Sequence, residues 1–152
     1  MKMKYKMAII YSITLGLILS QEHPSEHPSE HPSQSTKNII SAENLAGALG
    51  NYVNTDAKLK GGYFLVIDDQ TDSVLKLKLQ KIHKDRLSGI GNDTYFACAD
   101  FITGKGKVYD LDLFMTGKTP GDLLITEITV HKEDGESRYT WYEKMGVWKR
   151  KY

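Results

Sequence analysis

The chain predicts an α+β domain, with one N-terminal amphipathic helix packed on a curled antiparallel sheet of about five to six strands. Three observations carry this. One helical apolar stripe occurs beyond the first 36 residues, runs of alternating apolar and polar residues follow it, and strong turn signals separate those runs. The sheet is organised around residues 94–115, TYFACADFITGKGKVYDLDLFM, which read as two strands joined at Gly104-Lys105-Gly106.

Ahead of the domain stand two segments of different character. Lys2, Lys4 and Lys6 precede an apolar run over residues 7–19. A basic stretch followed by a short apolar one reads as a signal peptide, residues 1–20, too short to span a bilayer comfortably. Export to the periplasm or the extracellular space follows, with no membrane span once the signal is removed. Three of the 20 basic residues leave with it, so 17 bases against 19 acids give a mature charge of −2. The one clustered basic tract, Lys149-Arg150-Lys151, has no accompanying stacking platform, which argues against nucleic acid as a partner.

Residues 21–36 contain Glu-His-Pro-Ser three times and almost no apolar side chain. Such a tail reads as a disordered or polyproline-like spacer. Its His23, His27 and His31 are also metal-ligand candidates. In a polyproline helix, histidines four apart lie ~12 Å from one another, so a straight tail cannot chelate one ion. Cleavage after Ser20 would leave Gln21-Glu22-His23 at the amino terminus. That arrangement resembles the known amino-terminal copper and nickel motif. A free amine, two amides and a third-position imidazole suit square-planar Cu(II) or Ni(II).

The folded domain is expected over residues 37–152. Ser41 is a good N-cap, Glu43 falls in the first turn and Ile40 can staple onto Leu45. Leu45, Leu49, Tyr52 and Val53 then share one helical face, and the helix ends between Asn54 and Gly61-Gly62. YFLVID (63–68) opens the sheet. Residues 74–82 follow, with Leu75, Leu77 and Leu79 alternating against Lys76, Lys78 and Gln80. Residues 83–86 suit a short helical turn, with His83 a solvated surface residue, and Gly89, Gly91 and Asn92-Asp93 a flexible connection.

A Gly-Lys-Gly loop suits a three-residue hairpin closed by Gly106 at positive φ. Phe101 then pairs with Tyr109, Asp100 with Asp110 and Cys98 with Asp112. One face becomes wholly uncharged and the other gathers the three carboxylates. A one-residue slip would spoil the apolar face. Like charges directly opposite are unfavourable, so a cation, a basic side chain or a retained proton has to compensate. Cys98, the only cysteine, reads as a buried small residue with no histidine near it in sequence to activate it.

Beyond a loop at 116–122, residues 123–131 form a strand, Asp134-Gly135 a type I′ turn, residues 138–143 another strand and 147–151 a last short one. A regular ladder from that turn sets Val130 against Tyr139 and Ile128 against Trp141 on the apolar face. The other face would collect Asp100, Asp110, Asp112, Glu127, His131, Arg138 and Tyr142, the candidate ligand-binding set. Carboxylates crowded together can hold raised pKa values and act as acid or base, while a histidine and arginine can orient an anion or serve a metal. A solvent-facing sheet with cross-strand ion pairs is the plainer reading of the same residues.

Helix-then-sheet order resembles the cystatin-like and NTF2-like α+β rolls. The runs YFACADF, VYDLDLF and TVHKEDG behind an EHP-repeat leader are similar to small exported bacterial proteins. NTF2-like rolls carry more helix before the sheet, which favours the cystatin-like arrangement, and no catalytic residue is carried over. No phosphate-cradling glycine loop, Cys/His zinc spacing or nucleophile elbow is present. Two classes remain. One is a secreted binding or accessory module for a small ligand or protein, the sheet offering a surface for a homodimer. The other is a small enzyme using the acidic face. N-terminal sequencing of the exported protein is expected to begin at or near Gln21; a soluble protein that retains Met1 would refute the signal.

Overall fold

The computed structural model describes residues 40–152. The signal stretch, the repeat tail with His23, His27 and His31, and the expected domain start at Lys37 lie outside them.

Helix α1 (Ala42–Leu59) begins as its sequence dictates: Asn44 N donates to Ser41 Oγ at 3.2 Å. Ile40 and Leu45 are both buried in the main core. At the other end Gly61 takes φ +73°, and Gly62 N donates to Ala57 O at 2.7 Å. This is the Schellman closure that a C′ glycine permits. Leu45, Ala46, Leu49 and Val53 are the buried stripe, while Tyr52 stays 40% exposed at its margin.

Strands β1 (Phe64–Asp68), β2 (Ser73–Ile82), β3 (Ser88–Gly91), β4 (Thr94–Thr103), β5 (Val108–Thr116), β6 (Leu124–Glu133) and β7 (Glu136–Ser137) form one antiparallel sheet. Their order is β1-β2-β4-β5-β6-β7, with β3 pairing the start of β4. The expected flexible connection after the helical turn Lys84–Arg86 is therefore a strand. The last two strands, β8 (Thr140–Lys144) and β9 (Val147–Lys151), pair only with each other.

The central hairpin has the expected register. Ala99 lies opposite Leu111, Asp100 opposite Asp110 and Cys98 opposite Asp112. Thr103 N bonds Lys107 O at 2.9 Å, and Gly106 holds φ +86°. Its apolar face, with Tyr95, Ala97, Phe101, Tyr109, Leu111, Leu113 and Met115, joins Leu75, Leu77 and the helix stripe in one core. Phe64 stacks on Phe101 within it, ring centroids 5.5 Å apart.

The second hairpin departs from a regular ladder. Asp134 and Gly135 take φ 48° and 87°, as a type I′ turn requires. However, Asp110 faces Lys132 while Leu111 faces Val130, so His131 is an extra residue in β6. Such a bulge shifts the alternation by one. Arg138 therefore turns to the helix side, and Tyr139 and Trp141 turn to the carboxylate side, the reverse of the regular-ladder expectation. Arg138 bonds Asp68 at 2.5 and 2.9 Å and Glu133 at 2.6 Å. It thereby ties the first strand to the sixth and draws the sheet into a strongly curled roll.

The Arg138 guanidinium holds the Asp68 carboxyl at about 2, below its ordinary 3.8. A depressed folded pKa stabilises fully above the unfolded value and is lost as pH falls through the folded one. Asp68 is therefore expected to contribute roughly 2 kcal/mol that disappears between about pH 4 and pH 2. Arg138→Met, which strands a carboxylate that is 2% exposed, is expected to cost about 3–5 kcal/mol by urea denaturation at neutral pH. A loss below about 1 kcal/mol would show that this pair does not close the roll.

Candidate functional site

The carboxylate face of β4 and β5 is covered, which overturns the plainer reading of a solvent-facing sheet. The β8–β9 hairpin folds across it. Trp141 meets Phe96 and Phe114 edge-on, with centroids 6.2 and 5.9 Å away. Tyr139 stacks on His131 at 4.9 Å. Arg150 lies over the rings of Trp141, Tyr139 and Phe114 at 4.8, 5.3 and 5.7 Å and pairs with Glu127. The Arg150 charge of the terminal basic tract is therefore used inside the fold.

Beneath this cover lies a polar centre. Asp112 is 0% exposed, His131 4% and Asp110 6%, and Cys98 is fully buried beside them. Cys98 Sγ donates to Asp110 Oδ1 at 2.7 Å. Tyr139 Oη and Trp141 Nε1 donate to Asp112 Oδ2 at 2.7 and 2.8 Å. Thr129 Oγ1 meets the same tyrosine oxygen at 2.8 Å. His131 Nδ1 lies 3.7 Å from Asp110 Oδ2 and 3.7 Å from Asp112 Oδ1.

A second bulge brings His83 to this face. Leu79 faces Phe101 and Lys81 faces Asp100, so Gln80 is extra and Ile82 returns to the core opposite Ala99. His83 N then bonds Cys98 O at 3.0 Å, and its Nε2 sits 3.0 Å from Asp100 Oδ2 with the side chain 12% exposed. The expected solvated surface histidine is thus an inward one. It places an imidazole beside Asp100, next to the Asp100–Asp110 opposition.

Burial dominates the electrostatics. It pushes the Asp112 carboxyl up to about 6, against the pull of the Tyr139 and Trp141 donors. It raises Asp110 as well, the Cys98 bond pulling the other way and the Asp112 charge adding to the rise. It drives the Cys98 thiol far up, with both carboxylates reinforcing the shift. A thiol so placed stays protonated and is no nucleophile.

Of the sequence-derived set, Asp110, Asp112 and His131 come together, and Asp100 adjoins them through His83. The other three do not join. Arg138 closes the roll on the opposite side. Glu127 pairs with Arg150 at the rim, its side chain 47% exposed. Tyr142, 41% exposed, points away on β8. Cys98, His83, Tyr139 and Trp141 are the members that sequence reasoning missed. Two trios have donor atoms within 4.8 Å of one another: His83, Cys98 and Asp110, and Asp110, Asp112 and His131. A cavity of about 640 Å³ opens against Ile90, Phe114, Trp141 and Trp148, and one of about 860 Å³ lies beside the β4–β5 turn. Neither is lined by Asp110, Asp112, His131 or Cys98.

No family model, curated protein or solved structure matches this chain. No helix among the described residues is long and apolar enough to cross a membrane.

A double-mutant cycle of Asp112→Asn and Tyr139→Phe, read by urea denaturation at pH 7.5, is expected to give a coupling of about 1.5–3 kcal/mol, that of a hydrogen bond to a charged acceptor. Coupling near zero would mean that the hydroxyl serves Thr129 alone.

Proposed function

We propose that this chain is an exported binding module, a cystatin-like or NTF2-like roll whose ligand site is the covered centre around Asp110, Asp112 and His131. The observation that carries this reading is the enclosure itself. The polar residues converge and are buried, with Tyr139 and Trp141 bonded to Asp112 and Tyr139 stacked on His131. An enclosure of this kind suits an ion better than an organic substrate. In this reading the repeat tail is a spacer that also collects Cu(II) or Ni(II) weakly through His23, His27 and His31.

An acid/base enzyme is the poorer fit. A general acid or base has to reach its substrate, and these carboxylates are sealed from the neighbouring cavities. The thiol beside them is held protonated. A partner protein, or a second copy added through the sheet, remains compatible with a binding module and would meet the exposed surface rather than the centre.

Native mass spectrometry of the protein recovered from the exported fraction of the cells that express it tests this reading. The wild-type chain is expected to carry a small adduct that Asp112→Asn lacks. A bare wild-type mass, or an adduct untouched by Asp112→Asn in a folded variant, would overturn it.

A further inference from the structure

Each carboxylate of the centre has one oxygen fixed by protein donors and the other turned toward a common point. Asp110 Oδ1 takes the Cys98 thiol, which leaves Oδ2 facing His131 Nδ1 at 3.7 Å. Asp112 Oδ2 takes Tyr139 and Trp141, which leaves Oδ1 facing the same nitrogen at 3.7 Å. Among the described residues, Asp112 Oδ1 is fully buried and accepts no hydrogen bond. A buried carboxylate oxygen without a donor is costly, and its persistence calls for an explanation.

The separations indicate what fits. At 3.7 Å an imidazole nitrogen is too far from a carboxylate oxygen for a hydrogen bond. Two ligands on one ion, at bonds of about 2.0–2.2 Å, lie roughly 3–3.5 Å apart. His131 Nδ1 needs to close on each carboxylate oxygen by only a few tenths of an ångström to reach that spacing, and one donor atom from each of the three residues already lies within 4.8 Å of the others. A doubly charged cation would also cancel two carboxylates held on one face of one strand, which desolvation otherwise penalises.

We propose that Asp110 Oδ2, Asp112 Oδ1 and His131 Nδ1 bind one divalent first-row transition cation, zinc-like in its taste for imidazole and carboxylate. This rests on reading the centre as the binding site. The imidazole disfavours calcium and magnesium, which prefer all-oxygen shells. The thiol faces Asp110 Oδ1 rather than the common point, so Cys98 positions a ligand as an outer-shell donor, as do Tyr139 and Trp141. The overlapping trio of His83, Cys98 and Asp110 is the poorer site, because its thiol already donates to Asp110 and is held protonated by burial. On binding, any proton on Nδ1 or on the carboxyls leaves to solvent.

The test uses the full exported chain with His23, His27 and His31 replaced by alanine, so that the tail cannot report. After chelator treatment it is titrated with Zn(II) by calorimetry and with Co(II) by visible absorption. One ion per chain is expected, with a rise in Tm. Asp112→Asn and His131→Asn, each confirmed folded by circular dichroism, are expected to bind at least about 100-fold more weakly. Cys98→Ser is expected to keep one ion with affinity reduced about 10–100-fold, and the Co(II) spectrum of the parent is expected to lack a thiolate charge-transfer band. A folded parent that takes up neither ion overturns the proposal whatever the variants do. Full binding in folded Asp112→Asn, or a strong thiolate band, overturns the ligand set. If no metal binds but a native adduct still depends on Asp112, the cation is wrong and the binding site stands. If neither is found, both readings fall.

Discussion

The architecture depends on one extra residue. His131 is the extra position where β6 shifts register against β5, and everything after it in the second hairpin changes face. Glu133 and Arg138 turn toward Asp68 and lock the edges of the sheet together. Tyr139 and Trp141 turn the other way and cover the carboxylates. A regular ladder would have buried two aromatic rings under the helix and left Asp112 in water. A β-bulge is a local defect in pairing, but here it decides which side chains of the second hairpin meet the apolar core and which cover the carboxylates.

The β4–β5 centre of the sheet is consequently packed on both faces by different chemistry. On one side the helix covers a continuous apolar surface. On the other, Phe96, Phe114, Trp141 and Tyr139 enclose Cys98, Asp110, Asp112 and His131. Polar groups on that second side are held by partners of matched type. A thiol serves Asp110, and a phenol and an indole serve Asp112. These donors orient the carboxylates without neutralising them, and this distinguishes the centre from the Asp68–Arg138 pair, where charge is met by charge.

Much of this was legible in the sequence. The Gly-Lys-Gly loop and the clean sorting of apolar residues specified the register of the central hairpin, and with it the approach of Asp100 to Asp110. Ser41, Gly61-Gly62 and Asp134-Gly135 marked their cap and turn positions. The two bulges were not legible. Nothing about Gln80 or His131 as residue types announces an inserted position, because a bulge arises from strain between neighbouring strands rather than from local preference. The omission of Cys98 apart, each error about the site follows from that gap. His83 was placed in solvent, Arg138 among the carboxylates, and Tyr139 and Trp141 in the wrong core.

Among the described residues neither β8 nor β9 pairs with the main sheet, so beyond its covalent link the hairpin is held on the body chiefly through side chains. Its hold consists of two donors on Asp112, an aromatic cluster and the Arg150–Glu127 pair. Such a unit can detach while the roll keeps its backbone ladder, as sub-global openings do. The lifetime of anything held at the centre is therefore a property of this flap. Two chains of equal global stability could release the same occupant at very different rates, according to how firmly Trp141 and Tyr139 sit.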